Sequence, residues 1–166
     1  MFMVPLDNPT QKRTLRPRYA QHQATSWAGF LDPEFDRSID ILPGSVMVHL
    51  GGDLMAPYTG TGKPFGLSAF FVSAALGIDE VRNSGQNLYT CWVGGSDSEF
   101  EILAPAFDPS GDWTVPDDGT VKLLTGNNRG LLTPTGATPA NAIVRLLSAT
   151  PDKIIVKFLS PQDVTA

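Results

Sequence analysis

The stretch LYTCWVGGSDSEFEIL, residues 88–103, indicates the fold class of this chain. Its first six residues are aromatic, β-branched or apolar, which is typical of a buried strand, and two glycines end the run. In its last five residues Phe100 and Ile102 alternate with Glu99 and Glu101, as on a strand with one face against a core and the other in water. Two short strands separated by a glycine turn predict a β-rich fold.

The same pattern of short strands and turns continues in both directions. Upstream, residues 65–72 form an apolar run bounded by turn-forming residues, which predicts a buried strand. Downstream, residues 142–147 and 154–159 predict a hairpin. A threonine followed by a proline at positions 138–139 also permits a helix over residues 139–149. The β-branched residues in this region favour the strand.

The whole chain is therefore predicted to be mainly β, with a compact barrel or sandwich-like core of short strands. Its 16 glycines and 14 prolines are spread along the 166 residues, as expected for turns between strands. Three segments are expected: an extended N-terminal arm over residues 1–37, a β-rich core over residues 38–109 and a small C-terminal β-hairpin lobe over residues 110–166.

Charge is sparse and unevenly distributed. Charged residues make up 17% of the chain, which suits a surface held against other protein and is equally typical of a Gly/Pro-rich β-protein with a neutral polar surface. The net charge is −5, and residues 97–118 contain seven acidic residues and no basic one. An acidic body argues against nucleic acid as a partner. The start of the chain, in contrast, is basic, with Lys12, Arg13, Arg16 and Arg18.

The N-terminal segment also carries aromatic residues that a freely solvated tail rarely has. They indicate that the arm is ordered either against its own domain or against a partner, and the basic residues favour a partner with an acidic surface. The candidate binding residues are Arg13, Arg16, Arg18, Tyr19, Trp27 and Phe30.

No arrangement of residues predicts catalysis, a metal or a cofactor. His22 and His49 have no neighbour at metal-ligand spacing, and Cys91, the only cysteine, is expected to be a small buried residue. A single cysteine allows no intrachain disulfide, which fits assembly in a reducing cytoplasm. The apolar run at residues 64–76 is too short to cross a bilayer, so no membrane partner is expected.

Three stretches resemble the head decoration proteins of tailed bacteriophages. They are YTGTGKPFGLSAFFV at residues 58–72, IDEV at 78–81 and QNLYTCWVGGSDSEFEIL at 86–103. The resemblance covers roughly residues 38–109 and is strongest to minor capsid and decoration proteins of phages of actinobacteria. The predicted C-terminal hairpin lobe departs from the compact lambda-type decoration proteins.

The resemblance implies a structural virion protein without a cofactor, assembled in the host cytoplasm. Such a protein binds the major capsid protein on the capsid exterior as a homotrimer at three-fold positions and cements the shell, and its N-terminal arm becomes ordered there. The six candidate binding residues then contact the capsid. The alternatives are a tail-tube, baseplate or head–tail adaptor protein and, less favoured, a host- or carbohydrate-binding module that uses Trp92 or Trp113.

Overall fold

A computed structural model describes residues 14–18, 24–36, 38, 40–72, 88–94 and 98–160 of the chain. Within these ranges the regular structure is all strand, and no helix is present. The strands are β1 (Leu15–Arg18), β2 (Thr25–Leu31), β3 (Val46–Gly51), β4 (Leu54–Pro57), β5 (Pro64–Ser68), β6 (Leu88–Gly94), β7 (Glu99–Leu103), β8 (Leu123–Gly126), β9 (Leu132–Thr133), β10 (Val144–Ala149) and β11 (Lys153–Phe158). The prediction of a compact, mainly β fold is confirmed.

Strands β2 to β6 form a closed barrel in the order β2-β4-β3-β5-β6. The barrel closes through a short parallel contact between β2 and β4, where Phe30 lies opposite Leu54, and its other pairings are antiparallel. Inside, a cluster of fully buried side chains includes Leu31, Met47 and Met55. Val46, the neighbour of Met47, is fully buried as well, because it packs in the core shared with the sheet.

The remaining strands form an antiparallel sheet in the order β1-β7-β11-β10-β8-β9. The alternation predicted for β7 is confirmed, since Phe100 and Ile102 are fully buried while Glu99 and Glu101 lie on the other face. The predicted hairpin is also confirmed as the β10–β11 pair. Residues 144–149 are a strand, so the permitted helix over 139–149 does not form.

The barrel and the sheet share one hydrophobic core. Val46 and Leu67 of the barrel are fully buried in the same cluster as the inner face of the sheet. At this junction the ring of Phe100 lies 5.5 Å from that of Trp92 and 5.6 Å from that of Phe158. Because the rings connect β6 to β7 and β11, the two units are packed into one body.

The three segments expected from the sequence do not coincide with these two units. The described part of residues 1–37 contains β1, which is an edge strand of the sheet, and β2, which belongs to the barrel. Strand β7, from the middle segment, pairs with β11 from the C-terminal one. The start of β1 is held by hydrogen bonds, since the Thr14 hydroxyl donates to the Pro43 carbonyl and the Leu103 N–H donates to the Thr14 carbonyl. For these residues the structure supports the alternative that the arm packs on its own domain.

Candidate functional site

The outer face of the six-stranded sheet collects all the charged residues of four of its strands. In β1, β7, β10 and β11 the apolar side chains alternate toward the core, so the charged ones point to the opposite face. The pairing register places them side by side across the strands. We call this surface the basic face, and its charged members are Arg16, Arg18, Glu99, Glu101, Arg145, Lys153 and Lys157.

Ion pairs at one side of the basic face fix its geometry. Nη2 of Arg16 lies 2.7 Å from Oε1 of Glu101, and Nζ of Lys153 lies 3.7 Å from the same oxygen. Nη1 of Arg18 lies 3.8 Å from Oε1 of Glu99. The hydrogen bond from Arg16, with the nearby positive charges, lowers the pKa of Glu101 and outweighs the opposing effect of burial. Both carboxylates are thus neutralised by residues of this same face.

The cations on this face outnumber the carboxylates. Five Arg and Lys side chains stand against two Glu, although the whole chain carries a net charge of −5. Toward the other side of the sheet, Arg145 lies opposite Lys157 in the register. Among the described residues of these strands, positive charge therefore exceeds negative charge on one sheet face, which would attract an acidic protein surface.

The structure places four of the six sequence-predicted binding residues. Arg16 and Arg18 lie together on the basic face, as part of β1. Trp27 and Phe30 lie in β2, which belongs to the barrel and not to the sheet that carries the two arginines. Arg13 and Tyr19 fall outside the described residues.

Trp27 packs on its own barrel. Its indole meets the rings of His49 and Phe65 edge-to-face, with ring centroids 5.3 Å apart in both cases. It also packs against the buried cluster of the barrel interior and is half-buried. This aromatic group stabilises the barrel, so Trp27 is explained without a partner.

Phe30, in contrast, is exposed. Its side chain is 41% accessible, and Leu54 directly opposite is 40% accessible. Leu50, on the adjoining β3–β4 hairpin, is 51% accessible. Three of the five exposed large apolar side chains among the described residues thus fall on β2 and this hairpin, which marks a second candidate contact surface.

Sequence reasoning missed Arg145, Lys153 and Lys157. Their contribution depends on β11 pairing with β7, which brings residues about 50 positions apart into one sheet. Only a local sequence pattern could have indicated the two lysines. In KIIVKF, residues 153–158, both lysines lie on the strand face opposite Ile154, Val156 and Phe158. This pattern already indicates a strand with one basic, solvated side.

The residues considered for chemistry have structural explanations. Cys91 is fully buried with its Sγ 3.0 Å from Sδ of Met55, and burial raises its pKa to about 12. No group of three His, Cys, Asp or Glu residues in the described ranges could hold a metal ion. A search of the same residues for a helix able to cross a membrane found none.

Trp92 and Trp113, the two tryptophans considered for carbohydrate binding, are both partly buried against their own domain. Trp113 is half-buried, packs edge-to-face on Phe107 at 5.3 Å and donates its indole N–H to the Asp108 carbonyl over 2.7 Å. Trp92 is half-buried and packs against the shared core. Both rings are therefore explained by packing on their own domain.

The structure combines a barrel and a sheet with one basic face and one exposed apolar area, surfaces that suit the binding of other protein. The chain belongs to the phage cement protein family, whose family model matches residues 1–166. It is therefore a structural protein of the phage capsid, and the resemblance to head decoration proteins is confirmed. A comparison with curated proteins found no match.

Proposed function

We propose that this protein binds the outer surface of the phage capsid through the basic face of its six-stranded sheet and cements the shell by bridging neighbouring copies of the major capsid protein. The observation that carries the proposal is the concentration of five cations against two carboxylates on one sheet face of an acidic chain. Such a face approaches an acidic shell in one orientation, because the rest of the molecule is repelled.

Several weak contacts are sufficient for this role. Exposed ion pairs each contribute about 0–1 kcal/mol, so no single pair holds the protein on the shell. When one molecule contacts two or more capsid subunits, each further contact forms at a high effective concentration. Arg16 and Arg18 belong to this surface. Arg13 and Tyr19, which flank them in the sequence, are proposed to extend it.

The proposed assembly is a homotrimer at the three-fold positions of the capsid. A ring of three copies requires two different surface patches that fit each other, in contrast to a two-fold dimer, which uses one patch twice. Because the basic face is occupied by the shell, the contacts between copies use other surfaces, among them the groove on the barrel that is lined by Asp32, Glu34 and Asp36. A trimeric mass on the shell supports this assembly, and isolated monomers or a six-fold ring at the tail contradict it.

Removing two lysines from the basic face tests the attachment surface. The variant Lys153→Gln/Lys157→Gln is compared with Lys63→Gln/Lys122→Gln, which loses the same charge away from that face. Binding to shells purified without the protein is measured by co-sedimentation over a series of salt concentrations. We expect the first variant to bind about 2- to 30-fold more weakly at low salt, with a smaller salt dependence than the control. Equal binding by both variants contradicts the proposal.

A further inference from the structure

The barrel leaves part of one strand edge open. Strand β2 pairs with β6 from Thr25 to Phe30, but it meets β4 only at Phe30 and Leu31. The Phe30 N–H donates to the Asp53 carbonyl and the Asp32 N–H donates to the Met55 carbonyl, so alternate residues of β2 direct their N–H groups toward the β4 side. Residues 25–29 extend past the start of β4, and within the part of the chain that the structure describes no strand lies on this side of them.

The open positions are Ser26 and Ala28. By the alternation along β2, their N–H and C=O groups point the same way as those of Phe30. Ala28 lies opposite Thr90 of β6. The Thr90 carbonyl accepts a hydrogen bond from the Ala69 N–H, on the side of β6 that faces away from β2, and therefore does not bond to Ala28. Among the described residues, no backbone hydrogen bond outside the strand ladders involves Ser26 or Ala28, and both residues are exposed.

The open edge of β2 lacks the features that disfavour strand addition at β1, the edge strand of the six-stranded sheet. In β1 the sequence LRPR combines two arginines with a proline, which disfavour the addition of another strand. Strand β2 has the sequence TSWAGFL, with no charge and no proline. Next to its open part lie the exposed side chains of Phe30 and Leu54. An uncharged open edge beside apolar side chains is suited to binding an extended segment by strand addition.

We infer that the open edge of β2 binds an extended segment of the major capsid protein, which adds as a strand at Ser26 and Ala28 and covers Phe30 and Leu54. The inference rests on the proposed function and adds a second contact to it, away from the basic face. Strand addition would hold the barrel to the shell by backbone hydrogen bonds, which depend little on salt.

Charge and area favour the capsid segment over a second copy of this chain. Asp53, whose carbonyl accepts from Phe30, and Asp32, whose N–H donates to Met55, lie at the Phe30 end of the edge, so two copies meeting there would bring like charges together. Two open residues and two apolar side chains also offer far less than the roughly 1,200 Å² that a stable pair of proteins buries. As one of several linked contacts on a shell, such a small contact is sufficient. The segment is expected to be extended, free of acidic residues and flanked by a basic one.

Proline at the open positions tests the inference. Ala28→Pro and Ser26→Pro each remove one N–H that points to the open side, whereas the control Ala28→Thr keeps it. We expect each proline variant to melt like the wild type and to bind purified shells about 2- to 12-fold more weakly than the threonine variant, which keeps the N–H. Folded proline variants that bind as tightly as the wild type overturn the inference.

Hydrogen exchange on the wild-type protein provides a measurement that does not depend on any variant folding. Exchange at residues 25–29 is compared between free and shell-bound protein by mass spectrometry. Slower exchange at Ser26 and Ala28 on the shell supports strand addition, and unchanged exchange in a bound sample overturns it. If the wild type does not bind shells at all, the proposed function itself fails, so the two failures are distinguishable.

Discussion

Replacing Phe100 with alanine tests whether the barrel and the sheet form one cooperative unit. The side chain is fully buried in the shared core and forms ring pairs with Trp92 and Phe158, one in the barrel and one in the sheet. Truncating a buried phenylalanine costs about 3–5 kcal/mol, and the loss of two aromatic pairs places this site near the upper end. The total stability of a domain is only about 5–15 kcal/mol, so the variant should be close to unfolding.

Urea denaturation followed by both circular dichroism and tryptophan fluorescence measures this effect. For a slope of about 2 kcal/mol/M, the midpoint should fall by about 2 M, with coincident transitions for the two probes. The control is Phe70→Ala, whose side chain is 51% exposed and should cost only about 0.5 kcal/mol. A loss below about 1 kcal/mol for Phe100→Ala, or two separate transitions, would refute the shared core.

Three further predictions follow from individual contacts. Gly29→Ala should lower the melting temperature, because an added Cβ would collide with Cη2 of Trp27 and with the carbonyl oxygen of Asp53; wild-type melting would contradict the close packing. Because the hydrogen bond from Arg16 lowers the pKa of Glu101 below its ordinary 4.5, the stabilisation is complete above that value and is lost as the pH falls through the lower folded pKa. Glu101→Gln should therefore flatten the acid limb of a stability–pH curve, and an unchanged limb would argue against the pair. Cys91 is buried with its pKa raised to about 12, so a thiol reagent should label it only on unfolding; rapid labelling of the native protein would show that the barrel is open.

Local patterns predicted a large part of the fold. The alternation in residues 99–103 and the paired β-branched runs around residues 144–158 correctly indicated strands, because each pattern reflects one strand with one buried face. The core residues Phe100 and Ile102 followed from the same alternation. A fold class of short strands was therefore predictable before any long-range contact was known.

The role of the N-terminal segment was not predictable in this way. Strand β1 reads LRPR, which is only four residues long and contains a proline, and its partner β7 lies about 85 residues further along the chain. The closure of the barrel by β2 and β4 depends on only two register pairs. Pairings of this kind are determined by packing in the finished fold, because neither strand carries the information alone.

The candidate site was predictable only in part for the same reason. Arg16 and Arg18 were identified from a basic cluster in the sequence, while Arg145, Lys153 and Lys157 reach the same face through the sheet register. Grouping by sequence position also joined the two arginines to Trp27 and Phe30, which belong to a different sheet. A surface assembled from four strands becomes visible only once the strand order is known.

The central claim is that the basic face holds this protein on the outside of the capsid, and a cryo-electron microscopy map of the virion tests it most directly. The account predicts density on the outer shell at the three-fold positions, with strands β1, β7, β10 and β11 turned toward acidic residues of the major capsid protein. Density on the inner surface or at the tail, or a basic face turned away from the shell into solvent, would contradict it.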